Sequence, residues 1–176
     1  MDTRLEARVQ RLEDEREILR TLYTYGHAID YGYEEEFVDC WIEDGLLVWP
    51  GVGEIRGREA LGVVFRLHTH APDVIHKHFL SQPLIRFEDG RARVDSMFAR
   101  LDPYPEGPQM KGFGRYRDVL VRCGDGRWRF ETRRAEGEAG RPGAAPTVSK
   151  AAFDEAMRAI AQRGSGHVVD IGPPRD

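Results

Sequence analysis

The architecture of this chain can be worked out from Tyr25-Gly26-His27-Ala28-Ile29-Asp30. This segment closes a long apolar repeat: Leu5, Val9, Leu12, Leu19, Leu22, Tyr23 and Ile29 recur mostly at three-, four- and seven-residue intervals, the stripe of an amphipathic helix. The charged run Glu13-Asp14-Glu15-Arg16-Glu17 is the point where that helix could break, and Gly32 ends it. Asp30 therefore stands in the last turn of a helix. Tyr25 lies five positions earlier, about 140° around the axis, so the two flank a common cavity only if a helix edge looks into it.

Downstream of this stretch the hydrophobic period changes. A short helix is expected from Glu34 to Trp41, with Phe37, Val38 and Trp41 on its apolar side, then the apolar run Leu46-Leu47-Val48-Trp49 and a break from Pro50 to Gly53. Gly57-Arg58-Glu59-Ala60 opens a helix that passes Val63, Val64 and Leu67 and stops before Pro72. Three strand-like blocks follow, Ile75 to Phe87, Ala92 to Leu101 and Lys111 to Cys123, with a turn at Glu88-Asp89-Gly90. The tight turn Gly124-Asp125-Gly126 leads to a last strand from Arg127 to about Arg134. Helices first and an antiparallel meander after them define an α+β domain, with helices packed on one face of a curved sheet.

Residues 1–135 form that domain. Glu136 to Pro146, rich in Gly, Ala and Pro, reads as a linker. In 147–176, Phe153, Met157 and Ile160 stand at i, i+4 and i+7 within a helix from Ser149 to Gln162, which could reach back as a lid, and the final dozen residues read as a frayed end.

Composition bounds the function. The 176 residues suffice for one core, and a formal charge of -4 offers no electrostatic reason to expect a nucleic-acid partner. Cys40 and Cys123 lie outside any C-x-x-C pattern, which leaves a reducing cytoplasm as the expected location. The charged N-terminus does not read as a signal peptide, and no segment is long and apolar enough to span a bilayer. Gly51-Val52-Gly53 is too short for a dinucleotide fingerprint. His68, His70, His76 and His78 form two H-x-H pairs, but the nearby acid, Asp73, follows Pro72 in a turn, so no metal is expected. Strand alternation puts His76, His78 and Leu80 on one face, and Tyr116 with Asp118 on one face of their own strand.

Tyr25 and Asp30 on the first helix, His78 opening an H-x-x-x-Q segment to Gln82, Gly114-x-Tyr116-x-Asp118, and Trp128 followed five residues later by Arg133 together resemble the SnoaL-like branch of the nuclear-transport-factor-two-like superfamily. That branch resembles scytalone dehydratase, bile-acid dehydratase and hexachlorocyclohexane dehydrochlorinase. The resemblance covers about Leu12 to Arg134 and implies a cone of bent antiparallel strands around an apolar pocket. It also implies roles: His78 removes a proton, Asp30 orients it, and Tyr25 assists. Tyr116, Asp118, Arg133, Trp49 and His76 are the implied substrate-binding residues. The chemistry suits those residue types, since imidazole titrates near 6.5 and a carboxylate on one ring nitrogen fixes the tautomer and stabilises the imidazolium. The chain departs from scytalone dehydratase at Ile29, where the latter has a pocket tyrosine, and at Tyr116 and Asp118, which replace its pocket serine and asparagine. A different substrate is implied.

The reading is thus a cofactor-independent lyase or isomerase for a small, largely apolar cyclic or polyketide-like molecule, assembled as a homodimer or homotrimer. The alternative is a non-catalytic module of the same fold that holds a hydrophobic ligand or partners an oxygenase. Each residue also has a structural role open to it: Asp30 as a helix-end carboxylate, His78 as a satisfied core histidine, Tyr25 and Tyr116 as core aromatics, Arg133 as an ion-pair partner.

Overall fold

A computed structural model describes residues 3–162. The chain runs α1 (Thr3–Tyr31), α2 (Glu34–Asp39), β1 (Trp41–Trp49), β2 (Gly53–Arg56), α3 (Arg58–Leu67), β3 (Lys77–Glu88), β4 (Arg91–Tyr104), β5 (Gly107–Arg122), β6 (Trp128–Gly140) and α4 (Lys150–Gln162). The strands form a single curved sheet in the order β2-β1-β6-β5-β4-β3, with α1, α2 and α3 packed against it. The final dozen residues lie outside the described part.

Helix α1 is continuous through the charged run expected as a weak point. Glu and Arg are good helix formers, and Arg11–Glu15 at 3.2 Å and Arg20–Glu17 at 3.3 Å tie successive turns together. Asp14 within that run accepts a hydrogen bond from Trp128 Nε1 at 2.9 Å, which docks the helix on β6. Burial starts only at Ile18. Leu5, Val9 and Leu12 are 53%, 45% and 64% exposed, so the amphipathic period is real but its first turns overhang the sheet.

Helix α2 is shorter than expected and Trp41 already belongs to β1, its side chain wholly buried against Phe37 and Phe130. The break read from Pro50 to Gly53 is a turn, and it leads into a short strand that the sequence reading did not assign, β2, which pairs antiparallel with β1. A second correction concerns direction: β1 runs parallel to β6. The chain therefore returns to the edge beside β1 after the β3–β6 meander, and a simple succession of hairpins does not describe the sheet. The β3–β4 turn has the expected hairpin geometry, with Asp89 at φ 47° and Gly90 at φ 75°, the positive pair that a two-residue turn needs.

The expected linker is in its first half strand. Glu136, Gly137, Ala139 and Gly140 pair with β5, so β6 runs well past Arg134 and the boundary drawn after residue 135 falls inside it. Gly114 permits this: a Cβ there would collide with the carbonyl of Glu136. Residues 141–149 then cross to α4, whose Phe153, Met157 and Ile160 are buried in the main core, with α4 packed on α3.

Bulges decide which side chains face inward. In β3 the register shifts between Ser81 and Leu84, Gln82 takes φ 52°, and the inward residues change from His78 and Leu80 to Ile85 and Phe87. Gln82 is exposed there and takes no part in the cavity. A shift in β6 lets both Phe130 and Arg133 point inward, which strict alternation forbids. In β5, Arg100 pairs with Gly112 and Leu101 with Met110, which leaves Lys111 as the extra residue.

Candidate functional site

Asp30 sits in the last turn of α1, 3% exposed, where helix geometry and the Ala71 N–H to Asp30 carbonyl bond (3.0 Å) hold its backbone against the chain that leads into β3. Its carboxylate takes two hydrogen bonds from one residue. Oδ1 accepts from His78 Nδ1 at 2.6 Å and Oδ2 from the His78 backbone N–H at 2.9 Å. A carboxylate only accepts, so the hydrogen lies on Nδ1 and the ring is fixed with its other nitrogen available.

His78 lines a cavity of about 200 Å³. The volume is below the roughly 300–1,000 Å³ of sites for drug-sized molecules, so one or two rings would fill it. Ile29, Leu47, Trp49, Phe98 and Phe113 make it largely apolar, and Tyr25 and Tyr116 add two phenols. Burial above all pushes the Tyr25 hydroxyl up to about 12, partly offset by Arg133, and raises that of Tyr116 further, so both are neutral donors. A larger cleft of about 480 Å³ lies outside, along α1 at Arg16, Tyr23 and His27, and it shares no residue with the dyad.

The expected residues thus divide. Tyr25, His78, Trp49 and Tyr116 line the cavity and Asp30 stands directly behind His78. Asp118, Arg133 and His76 do not line it. Arg133 donates from Nε and Nη2 to Asp118 at 2.9 and 2.7 Å, and both side chains are fully buried. The pair neutralises itself, and the guanidinium carbon stacks 4.2 Å from the rings of Tyr25, Tyr116 and Phe130. Burial opposes the charge on both, yet Asp118 holds Arg133 above its ordinary value, while burial keeps the Asp118 carboxyl raised despite Arg133. Their place is the floor that positions the two tyrosines. His76 is 1% exposed, with Nε2 3.4 Å from Asp30 Oδ1 and neither ring nitrogen hydrogen-bonded among the described residues. Burial first, then Arg100 and His78, lowers it to about 4.

Asp30, His76 and His78 bring one ligand atom each within 4.8 Å of the others. A carboxylate with two imidazoles is a donor set that divalent transition metals accept. Here, however, the 2.6 Å contact between Asp30 and His78 is a hydrogen bond whose proton a metal would have to displace. His70 is spent elsewhere, its Nδ1 on the Ile29 carbonyl at 2.7 Å and its Nε2 on the Phe65 carbonyl at 2.8 Å. Cys40 is no nucleophile, since burial pushes its thiol up to about 12.

Sequence reasoning missed a polar corner. Arg100 and Lys111 reach the cavity wall from β4 and β5, and Thr147 reaches it from the segment before α4. His68, at the C-cap of α3, turns Nε2 toward Arg100 Nη1 at 3.3 Å, and burial, then Arg100, lowers it to about 2. One signal for Arg100 was present: it ends the inward series Ala92, Val94, Ser96, Phe98 on β4. Lys111 gave none, because only the bulge turns it inward.

A family model for the SnoaL-like domain matches residues 10–134. The chain belongs to the SnoaL-like family. A comparison with curated protein sequences finds no match. Among solved structures, this SnoaL-like protein is similar to an NTF2-like protein with a cystatin-like fold from Novosphingobium aromaticivorans, at 26% identity and TM-score 0.72 over 84% of this chain and 94% of that one. It is also similar to Rv3472, a protein of unknown function from Mycobacterium tuberculosis, at 25% identity and TM-score 0.63 over 86% and 96%. A candidate scytalone dehydratase from N. aromaticivorans shares the fold at 20% identity and TM-score 0.65 over 80% and 94%. The SnoaL-like family includes dehydratase- and cyclase-like enzymes.

Proposed function

We propose that this SnoaL-like protein is a cofactor-independent lyase of dehydratase type, or an isomerase, acting on a small cyclic, polyketide-like molecule by proton abstraction. The observation that carries the reading is the Asp30 carboxylate bound to Nδ1 of a histidine whose ring lines an apolar cavity. His78 Nε2 takes a proton from a carbon next to a carbonyl, and Asp30 stabilises the imidazolium. The electron pair moves into an enolate, whose oxygen accepts hydrogen bonds from the neutral phenols of Tyr25 or Tyr116. Elimination follows when the enolate collapses and expels the β-hydroxyl, which takes the proton from His78, so that a C–H and a C–O bond break, a C=C bond forms and water leaves. Return of the proton to a different carbon is isomerisation. No step calls on a cofactor.

The test is incubation with cyclic β-hydroxyketones in D2O, followed by NMR. Elimination, or deuterium at the α carbon, is expected with the native protein. Asp30→Asn and His78→Ala should each reduce it by about 10²–10⁴-fold, with little further loss in the double variant. Additive losses would refute a dyad. Binding without exchange or elimination would make the chain a ligand-binding module.

A further inference from the structure

Two cations face the apolar cavity on the side that also holds the base. Arg100 is the cross-strand partner of His78, so the two side chains emerge side by side on the inward face. Lys111 is the bulged residue opposite Arg100, and a bulge re-aims a side chain that regular pleating would point away. Its carbonyl accepts the Arg141 N–H at 2.8 Å, which fixes the bulge to the following segment.

The charge there is not balanced. One carboxylate, Asp102, serves both cations: Arg100 Nε and Nη2 donate to it at 2.6 and 3.2 Å, and Lys111 Nζ stands 3.4 Å away. Asp102 does not line the cavity, whereas Arg100 and Lys111 do, so the negative charge lies behind the positive ones. Thr147 adds direction. Its hydroxyl oxygen accepts from Arg100 Nη1 at 3.1 Å and from Lys111 Nζ at 3.2 Å. With both lone pairs engaged the hydroxyl can only donate, and among the described residues it has no acceptor. Burial first, then Arg100, holds the Lys111 ammonium below its usual range, a cost that a bound anion would relieve. His68 and His76, kept neutral by burial, bring neither a competing cation nor a counter-anion.

We propose that Arg100, Lys111 and Thr147 form a subsite for a carboxylate carried by the substrate, so that the molecule this cavity selects is an anionic ring compound and not a neutral one. The assignment rests on the cavity being the reaction site, and it deepens the dehydratase reading without needing turnover for its proof. Arg100, whose Nε and Nη2 are held by Asp102, supplies its charge, while Lys111 supplies an ammonium donor and Thr147 a hydroxyl hydrogen, one for each of two carboxylate oxygens. The ring system would then lie on Trp49, Phe98 and Tyr116, with the carbon nearest the carboxylate presented to His78.

Calorimetric titration with 2-naphthoate and, in parallel, 2-naphthamide is the test, since the two share shape and differ in charge. Naphthoate is expected to bind at least about tenfold tighter, a difference of about 1.4 kcal/mol. Lys111→Met and Thr147→Val, which leave the Arg100–Asp102 pair intact, should each remove most of that preference, and Asp30→Asn should keep it. Equal affinities, binding of neither compound, or a preference that survives Lys111→Met would overturn the subsite. Tighter binding of inorganic phosphate than of naphthoate would overturn the carboxylate assignment in favour of a phosphoryl group. Failure of the dyad reading looks different: naphthoate preference intact, with no exchange or elimination in any variant.

Discussion

Asp118 and Arg133 show how a buried charge can serve a site without entering it. The bidentate pair sits under Tyr25 and Tyr116, so removing one partner strands the other in a medium that cannot solvate it. Arg133→Met is expected to cost about 3–5 kcal/mol in urea unfolding, and the double change Asp118→Leu with Arg133→Met much less than the sum of the singles. His68 has a different consequence. Its folded value, about 2, lies far below the roughly 6.5 of a free imidazole, so the unfolded chain binds a proton that the folded one refuses. The resulting stability is fully present above about 6.5 and is lost as pH falls toward 2, by at most about 1.4 kcal/mol per pH unit. A variant His68→Asn should lose stability less steeply between pH 6 and pH 4, measured by thermal unfolding. Equal slopes would mean that His68 is not the group that titrates.

At the scale of elements, two glycines of similar appearance have opposite roles. Gly26 lies inside α1 with nothing within 4 Å of a Cβ built on it, so Gly26→Ala should stabilise the protein by about 0.5–1 kcal/mol. Gly114 lies where β5 meets the far end of β6, and Gly114→Ala would drive a methyl into the Glu136 carbonyl. Destabilisation of about 1–3 kcal/mol or more is expected, since backbone has little room to give. Both changes are read in one denaturation series. Helix α4 is the third case. Phe153, Met157 and Ile160 are buried, each worth about 1.5–3 kcal/mol, so truncation after Gly140 should cost several kcal/mol and not merely open a lid. A truncated protein of undiminished stability would return α4 to the role of a detachable cover.

For the whole molecule, the outward face of β3 and β4 carries Phe79 and Met97 at 54% and 55% exposure, with Leu84 nearby at 53%. An apolar face of that kind fits association of copies into a homodimer or homotrimer, and light scattering at micromolar concentration should show one, with Met97→Lys shifting it toward monomer. Phe98, which the sequence alone groups with these residues, instead stacks on Tyr116 at 4.5 Å inside the cavity. No described helix is long and apolar enough to cross a membrane. The dyad chemistry also predicts that treatment with EDTA leaves activity unchanged, whereas a metal held by Asp30, His76 and His78 would make the enzyme lose activity on chelation and regain it with added divalent cation.

Local pattern determined much of this protein. The period of α1 placed Asp30 at a helix end, Glu88-Asp89-Gly90 announced a turn, and alternation grouped His78 with Leu80 on one face, because each depends on dihedral preferences and spacing within a few residues. Trp41, the strand β2 and the parallel pairing of β1 with β6 were decided by packing, since a short apolar run is equally content in a helix, a loop or a strand. The same holds for the reach of β6 to Gly140, which a Gly- and Ala-rich composition disguised. The functional residues divide likewise. Asp30 and His78 were legible as a pair through the resemblance their setting carries, but that one carboxylate grips both the ring and the backbone of His78 is a fact of tertiary structure. Lys111 faces the cavity because one extra residue in β5 reverses its side, and Thr147 joins it from residues far along the chain. Sequence sets which face a residue prefers, whereas only the assembled sheet, with its bulges and register, sets which residues meet.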